Sequence, residues 1–308
     1  MTEDRPSSFS LFEPLAPPSG RGRLFVRRAF AAGGLAPRDL YVWVPDARRP
    51  GDRFPVVYMQ DGQNLFDARL VPFGTAWEAD RSISRLADAG AIAPAIVVGI
   101  ASTAQRFLEY APELILDRLP GATRQVVESA WGGVARSGDY ARLVMEEVKP
   151  MIDASFPTLA SAADTFAAGS SLGAVVAVEL LVRYPDKFAG AAGLSAHFSL
   201  LPVTETELLP DDFASDVTAA VADCARACLP RAGGHRLWLD RGAIGIDRFY
   251  APTHAAIVQA LSGLGYVDGV DMIARLYPHG GHDESAWRAR LDDAFAFLLG
   301  PSRAREAC

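Results

Sequence analysis

The run Gly-Ser-Ser-Leu-Gly at residues 169–173 has the residue types and the spacing that nucleophilic catalysis by a serine requires. It follows an apolar run at 165–168 and precedes an apolar helical stretch, so we expect a strand, a tight turn and a helix. Small residues let the turn lift a hydroxyl above the sheet edge, and the helix N-terminus offers free amides to an anion. This context predicts that Ser171 is the nucleophile and that the Ser170 side chain points away from the site. The alternative to a nucleophile turn is an ordinary Gly/Ser loop.

A serine nucleophile needs a base, and the candidates are five histidines: His197, His235, His254, His279 and His282. Around a G-x-S-x-G turn of this kind the chain order is serine, acid, histidine, with the histidine on a loop after the last strand. The loop at 277–283 reads Tyr-Pro-His-Gly-Gly-His-Asp, and its glycines let an imidazole fold back over the serine. We expect His282 to be the base and keep His279 as the alternative, whereas His197 precedes every candidate acid.

The acid that orients the base is expected on the loop after a short strand at 237–239. That loop reads Asp-Arg-Gly-Ala-Ile-Gly-Ile-Asp and holds two aspartates, Asp240 and Asp247. Asp240 abuts the strand, whereas Asp247 lies beyond a glycine-containing loop long enough to reach inward. We favour Asp247 and keep Asp240 as the alternative, and either carboxylate could instead cap a turn or a helix.

Two backbone N–H groups are expected to stabilise the oxyanion of an acyl-transfer reaction. One is that of Leu172, directly after the nucleophile. The other comes from the loop at 60–67, Gln-Asp-Gly-Gln-Asn-Leu-Phe-Asp, which follows an apolar run at 56–59. Gly62 permits a tight turn that directs the Gln63 amide at the site, although without that strand the segment would be a turn only.

Alternating apolar runs and helical stretches supply the elements that must position these residues. Strands are predicted at 24–30, 40–44, 56–59, 96–100, 165–168, 189–194, 237–239 and 272–276. Helices are predicted at 81–89, 140–155, 172–184, 253–264 and 284–299. Residues 102–135 and 195–234 fit the alternation poorly and are interpreted as insertions that cover a site. The pattern predicts one doubly wound α/β domain, with a mostly parallel sheet and helices on both of its faces.

The length of 308 residues suits one α/β domain at 21–300, with an irregular lead-in at 1–20 and a tail at 301–308. The formal charge of −7 and the lack of a basic block argue against a nucleic-acid partner. Acidic residues and prolines near the N-terminus match neither an export signal nor a membrane segment, so we expect a cytoplasmic location. The expected partner is a small-molecule ester, and the oligomeric state stays open.

Three cysteines, Cys224, Cys228 and Cys308, argue against a disulfide framework because the count is odd and no export signal accompanies it. Cys224 and Cys228 lie four residues apart without a nearby histidine, which is too few ligands for a structural zinc site. We expect both to be buried free thiols. No metal or organic cofactor is implied.

Together the motifs resemble the putative esterase family of α/β-hydrolases, which includes esterase D, enterochelin esterase and feruloyl esterase relatives. The resembling segments, in family order, are 58–67, 97–100 with Arg106, Glu109, Tyr110 and Pro112, then 146–153, 169–173, 240–247 and 281–287. The resemblance implies Ser171 as nucleophile, His282 as base and the Leu172 and Gln63 amides as the oxyanion hole, and it favours Asp247 as the acid. Two positions depart from the family pattern: Ala174 replaces a frequent glycine, and Ala243 replaces a threonine whose hydroxyl could steady the acid loop.

These observations predict a serine carboxylic ester hydrolase that forms an acyl-enzyme on a small-molecule, sugar or siderophore-type ester. An acyltransferase of the same fold is the first alternative, because the same triad serves either outcome and the acceptor decides. A non-catalytic binding protein is the second. A lost triad member would be its mark, and serine, acid and histidine are all present in the expected order.

Overall fold

The computed structural model describes residues 11–71, 74–200 and 211–301. The strands in these ranges are β1 (Glu13–Leu15), β2 (Arg23–Phe30), β3 (Arg38–Val44), β4 (Val56–Gln60), β5 (Ile96–Ile100), β6 (Thr165–Ser170), β7 (Gly190–Leu194), β8 (Arg236–Gly242) and β9 (Met272–Tyr277). They form one nine-stranded sheet in the order β1-β2-β3-β5-β4-β6-β7-β8-β9. All eight predicted strands are present, with ends shifted by up to three residues.

The sheet is mostly parallel. β5, β4, β6, β7, β8 and β9 pair in parallel, whereas β1, β2 and β3 extend one edge in antiparallel fashion. Every residue of β4, β5, β6 and β7 is buried, as expected for parallel strands covered on both faces. The carboxyl ends of β6, β8 and β9 therefore lie along one edge, where the predicted nucleophile, acid and base loops emerge.

The predicted irregular lead-in at 1–20 needs a correction, because it contains β1. Glu13 pairs with Val26 and Leu15 pairs with Leu24 across an antiparallel register. The exposed backbone groups of the edge strand β2 recruit this short segment, and an edge position tolerates its proline, Pro14. The remainder of that prediction, at 1–10, lies outside the described residues.

Helices follow the strands as predicted, and short ones fill the first insertion. They are α1 (Ala79–Asp88), α2 (Arg106–Glu109), α3 (Glu113–Leu116), α4 (Gly121–Trp131), α5 (Ser137–Arg142), α6 (Lys149–Ser155), α7 (Leu172–Arg183), α8 (Asp211–Cys228), α9 (Ala251–Gly263) and α10 (Glu284–Leu299). The predicted helix at 140–155 consists of α5 and α6 joined by a wider π-type segment, Leu143–Val148. None of the described helices combines the length and the apolarity needed to cross a membrane.

The helices cover both faces of the sheet, which confirms the predicted fold class. On one face α1 packs against α10, and Ser82 and Arg85 of α1 hydrogen-bond Asp292 of α10. On the other face α7 packs on β4, β6 and β7, with α5 beside it. An apolar core lies on each side of the sheet, so the strands that carry the site are held from above and below.

The second insertion supplies α8, which packs against α9, and residues 201–210 within it lie outside the described ranges. Cys224 and Cys228 on α8 are free thiols. Cys224 is buried as predicted, and this burial raises the pKa of its thiol to about 12. Cys228 is only partly buried and accepts a hydrogen bond from Arg118, whereas Cys308 lies outside the described residues.

Two backbone segments meet where the loop after β4 crosses β5. A Cβ atom on Gly62 would lie 2.3 Å from the carbonyl carbon of Gly99, and one on Gly99 would lie 2.9 Å from the Cα of Gly62. Real Cβ atoms do not approach so closely, so both positions require glycine for lack of space. The contact fixes the height of the Gly62 loop above the sheet.

We expect Gly62→Ala to lower the free energy of unfolding by about 1–3 kcal/mol, because the added methyl group must push two backbones apart. Gly263→Ala is the control, since Gly263 ends α9 and nothing lies within 4 Å of its missing Cβ. Urea denaturation followed by circular dichroism measures both variants. Equal midpoints for the two variants would contradict the close backbone contact.

A carboxylate lies buried in the middle of α7. Glu179 Oε1 accepts hydrogen bonds from Ser137 Oγ and Arg183 Nε, both at 2.8 Å, while Oε2 has no partner among the described residues. Burial raises the pKa of Glu179 to about 7, and the attraction of Arg183 offsets this only in part. Ionising this group in the folded protein is therefore unfavourable.

This shift makes stability depend on pH in a defined direction. Below pH 4.5, the ordinary value, Glu179 is protonated in both states; between 4.5 and about 7 only the unfolded chain ionises it, so stability falls as pH rises. We expect Glu179→Gln to remove a decline of roughly 3 kcal/mol across that window. Urea denaturation at pH 4.5 and pH 7.5 tests this, with the exposed Glu147→Gln as the charge-matched control. The same decline in both variants would refute the assignment.

Candidate active site

Ser171 occupies the turn between β6, which ends at Ser170, and α7, which begins at Leu172. Its backbone has φ 55° and ψ −126°, a strained conformation for a residue other than glycine and one expected of a nucleophile turn. Ser171 N–H donates to the carbonyl of Leu194 on β7 at 3.0 Å, which ties the turn to the sheet. Ser170 is buried, whereas Ser171 is partly exposed and its hydroxyl lies beside His282.

His282 lies beside Ser171 on the loop between β9 and α10. Its Nε2 is 3.0 Å from Ser171 Oγ, and its Nδ1 is 2.6 Å from Asp247 Oδ1. A carboxylate only accepts hydrogen bonds, so Nδ1 carries the proton and leaves Nε2 to accept from the serine hydroxyl. Of the two histidines proposed for this loop, the structure brings His282 to the serine, and His279 is exposed on the loop.

Asp247 lies on a short 3₁₀ helix, Gly245–Tyr250, that follows β8. Its carboxylate is fully buried, and Oδ2 accepts hydrogen bonds from Ser195 Oγ and from the N–H of Gly242, both at 2.5 Å. With His282 on Oδ1, the carboxylate has three hydrogen-bond donors. Ala243 and Ile244, which begin the acid loop, both donate their N–H groups to the carbonyl of Gly280 at 3.2 Å. These backbone bonds tie the acid loop to the histidine loop where the family threonine is missing.

Asp240, the alternative acid, has different partners. Its carboxylate accepts hydrogen bonds from Trp238 Nε1 and from Arg290 Nη1, each at 2.8 Å. Burial raises the pKa of Asp240 to about 6, against the opposing attraction of Arg290. The structure therefore brings Asp247, rather than Asp240, to the imidazole.

Aromatic rings enclose the imidazole of His282. The ring of Trp287 is 5.0 Å away and that of Tyr250 is 5.6 Å away, and both stand edge-on to it. Burial raises the pKa of Tyr250 well above its ordinary value, so its hydroxyl stays protonated. That hydroxyl is 2.5 Å from Nδ1 of His197, which is buried. The backbone N–H of His197 donates to the carbonyl of Ser171. His197 therefore supports the site from behind.

The two amides predicted for the oxyanion hole both belong to helix starts. Leu172 is the first residue of α7, and Gln63 lies within a 3₁₀ turn, Gly62–Asn64. The first N–H groups of a helix lack an intrahelical acceptor and can bind an anion. The Gln63 side chain is anchored by Ser102: its Nε2 donates to Ser102 Oγ at 2.9 Å, and its Oε1 accepts from Ser102 N–H at 3.1 Å.

An ion pair between Asp61 and Arg106 of the first insertion holds the loop that carries the Gln63 amide. Asp61 has a left-handed backbone, φ 55°, and its carboxylate receives two hydrogen bonds from Arg106 of α2 at 2.7 and 2.8 Å. A Cβ on Gly173 would lie 3.1 Å from Asp61 Oδ2, so this carboxylate packs against the first turn of α7. The insertion at 102–135 therefore supports the loop through Ser102 and Arg106.

Sequence reasoning missed Ser195 and Arg290, which contact the residues already described. Ser195 directly follows β7, so the convergence of parallel strand ends could have indicated it. Arg290 lies three residues after Trp287 on the apolar face of α10, where a charged residue is unusual. Among the described residues no group of three or more His, Cys, Asp or Glu side chains is arranged to hold a metal ion.

Comparison with known proteins places the chain in a family. The putative esterase family matches over residues 36–298, and a search of curated proteins found no match. The matched range begins before β3, ends within α10 and contains every residue of the site described above.

Solved structures share the fold at low sequence identity. A ferulic acid esterase is 17% identical with a TM-score of 0.60, over 91% of this chain and 97% of that chain. An IroE-like serine hydrolase from Shewanella oneidensis is 17% identical with a TM-score of 0.58, over 89% and 79%. Ferric enterobactin esterase from Salmonella typhimurium is 19% identical with a TM-score of 0.61; 92% of this chain matches 61% of that longer protein.

These neighbours establish the architecture, and the family match extends over most of the chain. The chain is thus a carboxylic ester hydrolase with an α/β-hydrolase fold, and it belongs to the putative esterase family.

Proposed function

We propose that this hydrolase is a serine esterase that works through an acyl-enzyme, with Ser171 as nucleophile, His282 as base and Asp247 as the orienting acid. The observation that carries the proposal is the unbroken line of hydrogen bonds from Ser171 Oγ through His282 to Asp247. A carbonyl carbon bound near Ser171 Oγ would lie beside a base that is already oriented. That arrangement is the one acyl transfer to serine needs.

In the acylation half, Ser171 Oγ attacks the ester carbonyl carbon while His282 Nε2 takes the hydroxyl proton. A new carbon–oxygen bond forms, and the carbonyl oxygen becomes an oxyanion. The N–H groups of Leu172 and Gln63 bind that oxyanion, because both lie in the first turn of a helical segment, where N–H groups have no intrahelical acceptor. When the intermediate collapses, the bond to the alcohol oxygen breaks and His282 gives its proton to the departing alkoxide.

The deacylation half repeats these roles with water as the nucleophile. His282 Nε2 takes one proton from water as the oxygen attacks the acyl carbon, and the same two amides stabilise the second oxyanion. Collapse breaks the bond to Ser171 Oγ, which regains its proton from His282. The carboxylic acid leaves. The two half-reactions together consume one ester and one water and give one alcohol and one acid.

Asp247 holds the imidazole in the productive tautomer throughout. Because its Oδ1 accepts from Nδ1, the proton cannot move to the ring nitrogen that faces the serine. The buried carboxylate also stabilises the imidazolium that forms in each half-reaction. Its three donors hold it in one orientation, which keeps Nε2 aimed at Ser171.

For the substrate we propose a small-molecule, sugar or siderophore-type ester. The ferulic acid esterase and the enterobactin esterases among the structural neighbours support this range, because they share the fold that presents the site. The loops that would select an acyl group lie in the two insertions, and these differ most from a regular α/β pattern.

We expect Ser171→Ala to abolish hydrolysis of nitrophenyl acetate, with kcat lowered by at least about 10⁴-fold, while the fold is retained. Ser170→Ala is the matched control, because this neighbouring serine is buried and the hydroxyl beside His282 Nε2 is that of Ser171. Initial rates, with circular dichroism as the check on folding, measure the effect. Near wild-type turnover by Ser171→Ala would sink the proposal. Added alcohols that divert product into a new ester would instead show acyl transfer.

Asp247→Asn separates the acid from its alternative. The amide presents an N–H where the carboxylate accepts, so His282 is driven to the wrong tautomer, and we expect kcat to fall by about 10⁴-fold at neutral pH. KM should change little, because Asp247 is buried behind the imidazole. A kcat within tenfold of wild type for the folded variant would show that Asp247 does not orient the base.

A further inference from the structure

We propose that Arg290 is a positioning residue that fixes both the acid and the histidine loop of the site. The proposal rests on the serine mechanism above and concerns the groups behind it. Arg290 lies on α10, and its guanidinium is almost completely buried. It contacts two segments of the chain: the residue after β7, Ser195, and the loop that carries His282.

The hydrogen bonds of Arg290 define this bridge. Nη2 donates to Ser195 Oγ and to the carbonyl of Gly281, each at 3.1 Å. Nη1 donates to Asp240 Oδ1 at 2.8 Å, and Nε donates to the carbonyl of Ala286 on the same helix at 3.0 Å. Gly281 directly precedes His282. Nη2 of Arg290 therefore contacts both the loop that carries His282 and Ser195, the hydrogen-bond partner of Asp247.

The direction of the Ser195 hydrogen bond follows from donor counting. A guanidinium can only donate, so Ser195 Oγ must accept from Arg290. The single hydroxyl proton of Ser195 is then left to point at Asp247 Oδ2, 2.5 Å away. Without Arg290 the hydroxyl would still donate to the carboxylate, but Ser195 Oγ would lose the donor that fixes its position. Arg290 thus sets the donor that holds Asp247 under the imidazole.

Asp240 completes the assembly. This role explains why Asp240 is buried although it does not contact the imidazole. Its Oδ1 accepts from Arg290 and from the N–H of Ser195, at 2.8 and 3.1 Å. Ser195 has a left-handed backbone, φ 48°, a strained state that the surrounding contacts must maintain. Asp240 therefore keeps both the guanidinium and the strained serine in place, and Arg290 transmits that order to the site.

The test uses three variants of the full chain. Arg290→Met removes the donors but leaves Asp240 buried and unpaired, so it is expected to lose stability. Arg290→Met combined with Asp240→Asn removes both charges and should regain most of that stability. Arg290→Lys keeps the pairing with Asp240, but a single ammonium cannot span Ser195 and Gly281. Arg236→Met is the control, because Arg236 also joins β8 to α10 but donates to the carbonyls of Phe297 and Gly300 at the other end of the strand.

The main readout is the rate at which a fluorophosphonate labels Ser171, measured against pH, together with kcat and KM for nitrophenyl acetate. We expect the double variant to label about 100-fold more slowly than wild type, as displacement of a reacting group by about 1 Å would cause. We expect KM to stay within about threefold, because Arg290 lies behind the site rather than in it. Arg236→Met should label at the wild-type rate.

The pH profile gives a readout that a purely structural role would not move. Asp247, Asp283 and Glu284 are the acidic groups that face His282. Loss of the Arg290 charge alone favours the protonated imidazole. We therefore expect the acid limb of the labelling rate plotted against pH to shift toward higher pH by about one unit in Arg290→Met.

A wild-type labelling rate in the double variant, or an unmoved acid limb in folded Arg290→Met, would overturn the proposal. If the double variant does not fold, Arg290→Lys decides the matter: slower labelling supports the positioning role, and a wild-type rate refutes it. Failure of the serine mechanism itself would look different, because wild-type protein would then carry no label on Ser171.

Discussion

The left-handed backbone of Ser171 is the constraint to which the rest of the site conforms. A serine at φ 55° is strained, so its neighbours must hold the turn closed. They do so through both backbone groups: Ser171 N–H donates to Leu194, and its carbonyl accepts from the N–H groups of His197 and Ala174. The turn also needs bare backbone on either side, because a Cβ on Gly169 would lie 2.4 Å from the carbonyl oxygen of Gly173.

Charge burial is the second theme, and the molecule treats its buried carboxylates in two ways. Asp247 and Asp240 lie behind the site, and both oxygens of each carboxylate accept hydrogen bonds, which offsets the cost of burying them. Glu179 keeps one oxygen without a donor among the described residues, and its pKa rises to about 7. The contrast lies in the donors: both oxygens of Asp240 and of Asp247 accept hydrogen bonds, whereas one oxygen of Glu179 accepts none from the described residues.

The elements of the fold were predictable because their signals are local. Apolar runs mark buried parallel strands, and the small residues around Ser171 mark a turn that few other sequences allow. The histidine loop was also predictable, because it follows the last strand. Edge strand β1 was missed because three residues pairing with an existing edge need no apolar pattern of their own.

The residues behind the site were not predictable in the same way, because their partners lie far away in sequence. Arg290 and Ser195 are 95 residues apart, and Arg106 and Asp61 are 45 apart. Asp240 and Asp247 have the same side chain on one loop, and only the folded positions of Arg290 and His282 tell them apart. Such contacts are set by tertiary packing, which a single sequence does not display.

The pairing of α1 with α10 has a consequence for how the protein is made. Ser82 and Asp292 are 210 residues apart, yet they hydrogen-bond across one face of the sheet. Protein chains leave the ribosome from the N-terminus and their domains tend to fold as units. The apolar side of α1 that packs against α10 therefore stays uncovered until α10, which ends at Leu299, has been synthesised. Nascent chains that stall before that helix would expose this face to aggregation or to chaperones.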